Sequence, residues 1–155
     1  MTDFQIDVAI DAPPEVVWTL MRDVEHWPEW TPSVTTVRLL DRAPLAVGSR
    51  ALIRQPKLAP ARWRVTELDE RGRVFTWESR APGLRVIGRH RVEAFGAGSR
   101  ATLSLRFTGL LGGLFGRMLG GLNDRYLAME ANGLKQRSEL LAARGKEESA
   151  ARIGL

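Results

Sequence analysis

Few side chains of this sequence could take part in acid–base chemistry. The chain has two histidines, His26 and His90, and one tyrosine, Tyr126. A neutral imidazole can accept or donate a proton near pH 7, and a buried phenol needs a hydrogen-bond partner. His90 is therefore either a proton-transfer group or a hydrogen-bonded core residue, and His26 is interpreted as a surface residue. Glu130, one helical turn beyond Tyr126, is interpreted as a rim carboxylate or a partner for an arginine.

Other catalytic chemistries find little support. The sequence contains no cysteine, which excludes disulfides, thiol catalysis and cysteine-ligated metals. The two histidines lack the spacing of a metal site, so we expect neither a metal nor a cofactor. The phosphate-binding motif GxxxxGK[ST], the zinc motif HExxH and the nucleophile motif GxSxG do not occur.

Tyr126 lies in the segment that organises the chain, residues 109–144. Apolar residues recur here at steps of three, four and seven, which predicts one stripe of a long helix. The predicted stripe consists of Leu111, Phe115, Met118, Leu122, Tyr126, Met129, Gly133 and Leu140. Leu127, Leu134 and Leu141 form a second row beside it. So broad an apolar face must be covered by something large, and the rest of the chain predicts a curved sheet.

The start of this helix is unusually rich in glycine, with six glycines in residues 109–121. Each glycine inside a helix costs roughly 1 kcal/mol relative to alanine. Two interpretations stay open: a frayed helix start or irregular loop, and a mobile gate or apolar surface that meets lipid. The run is too short for a membrane span, which needs ~20 apolar residues.

Seven strands are predicted from alternating apolar and polar residues. The first, residues 4–10, is separated from the others by two short helices, the second of which buries Trp27 and Trp30. The six later strands are joined by short links, which favours an antiparallel meander. The predicted ranges are 34–40, 49–55, 61–68, 74–80, 84–95 and 100–108.

The alternation also assigns the two faces of the sheet. One face is apolar and aromatic, with a few polar side chains, Gln55, Ser79 and His90. The other is a lattice of arginines with Glu78, Glu93 and threonines between them. The arginine face lacks aromatic side chains for base stacking, so we interpret it as solvated and expect no nucleic-acid partner.

Composition favours one ordinary domain. A chain of 155 residues, 44% hydrophobic and 26% charged, can bury its own core. We place the domain at residues 1–145 and expect a disordered polar tail at 146–155. The net charge of +5 comes mainly from scattered arginines. No secretory signal is recognisable, so a cytoplasmic location is expected, as monomer or homodimer.

The order of elements resembles the helix-grip fold of the START-like, or SRPBCC, superfamily, an α+β fold in which a curved sheet wraps a long C-terminal helix. Local motifs resemble the bacterial polyketide cyclase/dehydrase group: IDAPPEVVWTLMRDVEHWPEWTPSV at residues 10–34, PLAVGSRA at 44–51, WRVTELD at 63–69 and FTWES at 75–79. The resemblance covers nearly the whole chain.

The resemblance implies a deep cavity between sheet and helix that holds lipids, sterols, quinones, polyketides or similar apolar molecules. The predicted lining is Ile53, Gln55, Trp63, Val65, Phe75, Trp77, Ser79, Val86, His90, Leu103, Leu105, Phe107, Met118, Leu122, Tyr126 and Met129. Cyclases of the group polarise carbonyls with pocket Tyr, Arg and His, so His90 and Tyr126 would be catalytic if the protein is an enzyme.

Three functions remain open at this stage. The first is binding of a small apolar or amphipathic ligand, with transient membrane contact as an accompanying expectation. The second is a polyketide cyclase, aromatase or dehydratase, which should need His90 or Tyr126. The third is a protein-interaction module of the chaperone co-activator type, whose cavity should be collapsed and filled by its own tryptophans.

Overall fold

The computed structural model describes residues 2–154 and contains the predicted seven-stranded antiparallel sheet. The spatial order is β1-β7-β6-β5-β4-β3-β2, so the meander is confirmed and the first strand pairs with the last. The strands are β1 (Thr2–Ile10), β2 (Thr36–Leu39), β3 (Arg50–Arg54), β4 (Ala61–Asp69), β5 (Val74–Ala81), β6 (Leu84–Phe95) and β7 (Gly98–Thr108).

Two short helices follow β1, as predicted. Helix α1 (Pro14–Arg22) begins with proline, whose fixed φ and missing N–H suit a first turn, and it buries Val17, Trp18 and Met21. A 3-10 helix (Val24–Glu29) comes next and buries Trp27, while Trp30 just beyond it is half-buried. After β7 come a short helix α2 (Gly112–Met118) and the long helix α3 (Gly120–Ile153).

The predicted apolar face of the long helix is correct only in part: Tyr126 is buried, and so are Leu127 and Leu134 of the second row. The side chains that α3 buries are Asn123, Tyr126, Leu127, Ala131, Leu134, Ser138 and Ala142. Met118, Met129 and Leu140, which the prediction placed inward, are exposed. The buried face contains small and polar residues because α3 packs closely on β1 and α1. A prediction from large apolar residues alone therefore favours the row that contains Met129 and Leu140, which is exposed.

Helix α3 also continues beyond the predicted domain end. Residues 146–153 are helical and exposed, which corrects the expectation of a disordered tail there; residue 155 lies outside the described residues. Alanine, glutamate, lysine and arginine make up most of this stretch, and all are good helix formers. The domain boundary at residue 145 stays a prediction.

The two faces of the sheet are confirmed. Trp63, Phe75, Trp77 and His90 share the inner face and contact one another through their rings. On the outer face, arginines pair with carboxylates of the same or a neighbouring strand. Glu78 pairs with Arg80 of its own strand and with Arg85 of β6, Glu93 pairs with Arg100, and Asp3 pairs with Arg106.

Gly133 fixes how closely α3 approaches the loop after the 3-10 helix. A Cβ atom at this position would lie 1.8 Å from the backbone oxygen of Trp30. We expect Gly133→Ala to lower the free energy of unfolding by roughly 1–3 kcal/mol, because helix or loop must move. Gly145→Ala is the matched control on the same helix, because nothing lies within 4 Å of its added Cβ. In urea unfolding, the free energy of unfolding of the control should rise by up to about 1 kcal/mol. Equal changes in the two variants would contradict the close approach of α3 to Trp30.

Candidate functional site

The inner face of the sheet carries a continuous aromatic cluster, defined here as Trp18, Trp27, Trp30, Trp63, Phe75, Trp77 and His90. His90 lies near its centre. Its imidazole stacks on Phe75 with ring centroids 4.3 Å apart and an interplanar angle of 13°. Trp27 and Trp77 contact the same imidazole at 5.3 and 5.7 Å. The cluster reaches Trp63 through Trp77 at 5.5 Å.

This aromatic environment fixes the charge of His90. Burial among the rings lowers the pKa of His90 to about 3, and a hydrogen bond with the Phe75 backbone opposes that shift only in part. The imidazole is therefore neutral at pH 7. It can offer one hydrogen-bond donor and one acceptor, but it is not charged and cannot serve as a resident proton donor. The catalytic role predicted for His90 stays a prediction, restricted to its neutral form.

Trp27 fills the space between the sheet and the helices. Its indole nitrogen donates to the backbone oxygen of Met21 at 2.9 Å, which holds the ring in place. The ring contacts Trp30, Phe75, Trp77 and His90 at 5.3–6.3 Å. The sequence predicted that Trp27 is buried, but nothing in the local pattern indicated that it would occupy the interior.

Several polar atoms in this interior have no hydrogen-bond partner. Among residues 2–154, the buried nitrogens without a partner include Trp30 Nε1, Trp63 Nε1, His90 Nδ1 and Asn123 Nδ2. Three of these four belong to the aromatic cluster. Since most buried polar groups in proteins are hydrogen-bonded, such a concentration of unpaired atoms needs an explanation. A bound ligand that supplies a hydrogen-bond acceptor is one explanation.

A polar cluster lies where α3 crosses the loop before β2 and the end of β3. Ser33 Oγ donates to Glu130 Oε1 at 3.3 Å and lies 2.8 Å from the hydroxyl of Thr31. Gln55 Nε2 donates to the backbone oxygen of Ser33 at 3.2 Å. The Tyr126 hydroxyl donates to the backbone oxygen of Pro56, one helical turn from Glu130. We call Thr31, Ser33, Gln55, Tyr126 and Glu130 the polar cluster.

Glu130 is the titratable group of the polar cluster. Burial raises the pKa of Glu130 to about 7, because a carboxylate loses hydration there, and the Ser33 hydroxyl lowers it only in part. A carboxyl that titrates near neutral pH can accept or deliver a proton. The sequence interpretation of Glu130 as a rim carboxylate or arginine partner missed this. Its hydrogen-bond partner, Ser33, is 97 residues away in the chain.

The predicted cavity residues fall into three groups. Ile53, Val65, Leu103 and Phe107 are buried together with the aromatic residues and Tyr126. The second group is only half-buried: Gln55, Trp63, Ser79, Val86, Leu105 and Leu122. Met118 and Met129 are exposed, so their placement in the lining is corrected. Met129 lies on the exposed side of α3, whereas Met118 ends the separate short helix α2, which the sequence prediction had joined to the long helix. His26 is exposed, as predicted, and pairs with Asp23.

The outer face of the sheet also offers a hollow. It has a volume of 530 Å³ and lies where β4 and β5 separate. Arg50, Arg62, Arg64 and Arg80 line it together with Glu78 and an edge of Trp63. Its chemistry suits an anion rather than an apolar molecule. Within residues 2–154 no group of acidic or histidine side chains could hold a metal ion, and no helix is long and apolar enough to cross a membrane.

Comparison with known proteins identifies the family. The family model described as polyketide cyclase/dehydrase and lipid transport matches residues 1–139. A Streptomyces halstedii protein, whose own assignment as a polyketide cyclase is provisional, is 31% identical over 91 residues. That match covers 56% of this chain and 71% of the relative.

Solved structures share the fold at low sequence identity. The ZhuI aromatase/cyclase from Streptomyces sp. R1128 is 19% identical, with a TM-score of 0.72 over 89% of this chain and 93% of its own. Ginseng major latex-like protein 151 from Panax ginseng is 15% identical, with a TM-score of 0.73 over 88% and 97%. A protein from Thermus thermophilus is 23% identical, with a TM-score of 0.72 over 92% and 99%. Together with the family match, they confirm the helix-grip fold, and the chain belongs to the polyketide cyclase/dehydrase and lipid transport family.

Proposed function

We propose that this protein binds a small amphipathic molecule in the interior between the sheet and α3. The observation that carries this proposal is the set of unpaired nitrogens within an apolar, aromatic interior: Trp30 Nε1, Trp63 Nε1 and His90 Nδ1. Ligand sites are mostly apolar with a few placed polar groups. An indole N–H donates and cannot accept, so two of these three atoms call for a ligand oxygen.

The ligand class follows from the same interior. A hydrocarbon or fused-ring body suits the aromatic cluster, and one or two carbonyl or hydroxyl oxygens suit the indole N–H groups and the polar cluster. Fatty acids, sterols, quinones and aromatic polyketides have this character. A nucleotide or sugar phosphate does not, because the arginines of the sheet lie on its outer face.

The filled interior must open for such a ligand to enter. Trp27 occupies the space, but it is carried by a single 3-10 helix that contains Pro28. Short 3-10 segments have poorer hydrogen-bond geometry than α-helices. We infer that this helix moves outward and takes Trp27 with it. The tryptophan-filled interior is also the state expected of an interaction module. The unpaired buried donors favour ligand binding over that alternative, because they destabilise a core that never meets a ligand.

A thermal-shift screen tests the proposal. A ligand at 100 times its Kd adds about 2.7 kcal/mol to the stability of a protein that binds it only when folded. We expect fatty acids, sterols, quinones or aromatic polyketides to raise the Tm and nucleotides to leave it unchanged. Tryptophan fluorescence should change with the same compounds, because Trp27 moves.

A variant of one indole sharpens this screen. Trp63→Phe keeps an aromatic ring but removes an N–H that has no partner in the protein. We expect it to reduce the ligand-induced shift while barely changing the Tm without ligand. Trp18→Phe is the control, because it makes the same change within the aromatic cluster but removes an N–H that already donates to Glu70 at 2.8 Å. If the apolar compounds have no effect and phosphate compounds stabilise the protein, the outer arginine hollow is the better site.

A polyketide cyclase is the second candidate function, and the polar cluster favours it. A carboxyl with a pKa about 7 could take a proton from a carbon next to a ketone, and an indole N–H could stabilise the resulting enolate oxygen. The test is turnover of a poly-β-ketone substrate. Catalysis requires that Glu130→Gln or Tyr126→Phe abolish turnover, whereas a carrier should still bind ligand after either change.

A further inference from the structure

The segment between β7 and α3 exposes a patch of large apolar side chains. Leu110, Leu114 and Met118 are 97%, 56% and 67% exposed, and Leu111 is 39% exposed. We call these four residues the apolar patch. Leu110, Leu114 and Met118 follow one another at intervals of four, so they share one face of the chain around α2. Scattered exposed leucines are ordinary, but four within nine residues form a continuous surface.

Helix α2 buries Gly112 and Gly116, whereas Leu114 and Met118 are exposed and Phe115 is half-buried. Gly112 lies against the backbone of Phe107, where an added Cβ would approach to 2.9 Å. Gly116 lies against Thr2, where an added Cβ would approach to 2.6 Å. The helix therefore uses glycines for its contact with the sheet. Leu114 and Met118 of this helix contribute little to the core, although a soluble surface would favour polar residues there.

The surroundings of the apolar patch carry positive charge. Arg117 lies in α2 and Arg125 lies near the start of α3; both are exposed, and neither forms an ion pair within residues 2–154. The turn between β5 and β6 touches Leu111 through Gly83, and Arg80 and Arg85 at its two ends share the single carboxylate of Glu78. Basic side chains beside a membrane attract anionic lipid.

The shape of the patch favours lipid over a protein partner. Leu110 is 97% exposed in the turn between β7 and α2, so almost none of its side chain is covered by the protein. Protein interfaces bury about 800 Å² on each partner and rely on aromatic and arginine anchors in pockets. The apolar patch is a single short segment with aliphatic side chains and no groove. Amphipathic segments of this kind bury their apolar side chains at the boundary between headgroups and acyl chains.

We propose that the apolar patch docks this protein onto the surface of an anionic lipid bilayer, with Leu110, Leu114 and Met118 entering the acyl region. Arg117 and Arg125 lie close enough in the chain to contact the headgroups. The glycine-rich segment is then a membrane-contact surface, which decides between the two interpretations that the sequence left open. This proposal does not depend on what the interior binds.

Vesicle co-sedimentation tests the docking. The full chain is mixed with vesicles of phosphatidylcholine alone or of phosphatidylcholine with phosphatidylglycerol. We expect binding to the anionic vesicles that weakens as salt is raised, since exposed charges are screened. Leu114→Asp and Met118→Asp should each weaken the partition by roughly tenfold or more, a change of about 1.4 kcal/mol.

Val47→Asp is the matched control, because Val47 is 63% exposed in a loop remote from α2 in the chain. It should bind vesicles like the parent protein, and circular dichroism should show that all variants are folded. Failure of the parent to bind anionic vesicles would overturn the proposal, as would equal binding by the patch variants and the control. A concentration-dependent dimer that the patch variants abolish would also overturn it, because a second copy would then cover the patch.

Discussion

Trp77→Ala is expected to lower the free energy of unfolding by roughly 3–5 kcal/mol, as large-to-small changes of packed aromatic residues do. Trp77 is 3% exposed. Its ring lies over Gly88, where an added Cβ would approach Trp77 Nε1 to 2.9 Å, and it contacts Phe75 and Trp27 at centroid distances of 5.3 Å. Removal of the indole therefore leaves a hole at the centre of the aromatic cluster. Chemical denaturation at equilibrium measures the loss.

Trp30→Ala is a useful comparison for that measurement. Trp30 is half-buried and contacts the cluster through Trp27 at 5.6 Å, so its loss should be the smaller of the two. A loss below about 1 kcal/mol for Trp77→Ala would show that the ring borders open space rather than packed neighbours. The interior would then already be open to a ligand, and no movement of Trp27 would be needed.

The strands could be predicted from the sequence because their signal is local. Alternation assigns each side chain to a face without knowledge of any partner strand, and short links between strands favour neighbours in space. Trp63, Phe75, Trp77 and His90 were placed together on this basis, and the structure confirms it. The same signal placed the arginines on the outer face, where they pair with carboxylates of the same or a neighbouring strand.

The long helix shows where such reasoning fails. Its buried face includes Asn123, Ala131 and Ser138, which carry little hydrophobic signal, whereas Met129 and Leu140 carry a strong one and are exposed. The buried side of a helix is predicted by comparing the hydrophobicity of its rows of side chains. The correct row was weaker because close packing on β1 and α1 favours small residues over large ones.

The candidate site could be predicted only in part. His90 and Tyr126 were singled out because each residue type is rare in the chain. The environment that sets their chemistry comes from distant segments: Trp27 packs on His90, and Pro56 accepts the hydrogen bond of Tyr126. Glu130 could not be recognised as a titratable group near neutral pH, because its pKa depends on burial and on Ser33, and a sequence reports neither.

The buried His90 and the half-buried Glu130 should give this protein an unusual dependence of stability on pH. The pKa of His90 falls from 6.5 to about 3 on folding, so the unfolded chain binds the proton and stability rises with pH up to about 6.5. The pKa of Glu130 rises from 4.5 to about 7 on folding, so the folded chain holds the proton and stability falls as the pH increases from 4.5 to 7. Between about 4.5 and 6.5 the two slopes oppose each other.

Glu130→Gln should remove one of these slopes and leave the other. The amide is neutral at every pH and can still accept the hydrogen bond from Ser33. We expect the variant and the parent to have similar stability near pH 4.5. The variant should become the more stable protein as the pH rises, by roughly 3 kcal/mol above pH 7, since each unit of pKa shift is worth about 1.4 kcal/mol. Its stability should then rise with pH up to about 6.5, where the opposing slope of Glu130 no longer hides that of His90.

Urea unfolding from about pH 4.5 to 8 measures the dependence of stability on pH for the parent and for Glu130→Gln. Glu148→Gln is the control, because it removes a carboxylate from an exposed position of the same helix. The control should follow the parent, which separates burial from the loss of one negative charge. Parallel curves for Glu130→Gln and the parent would mean that the Glu130 carboxylate is well solvated in the folded protein. That result would also weaken the case for Glu130 as the proton-transfer group of the polar cluster, because a solvated carboxylate has an ordinary pKa and is a weak base near pH 7. A difference in stability between Glu130→Gln and the parent that widens with pH would instead establish a carboxyl that changes charge near pH 7. A carrier could use such a group to bind a ligand oxygen, and a cyclase could use it to move a proton.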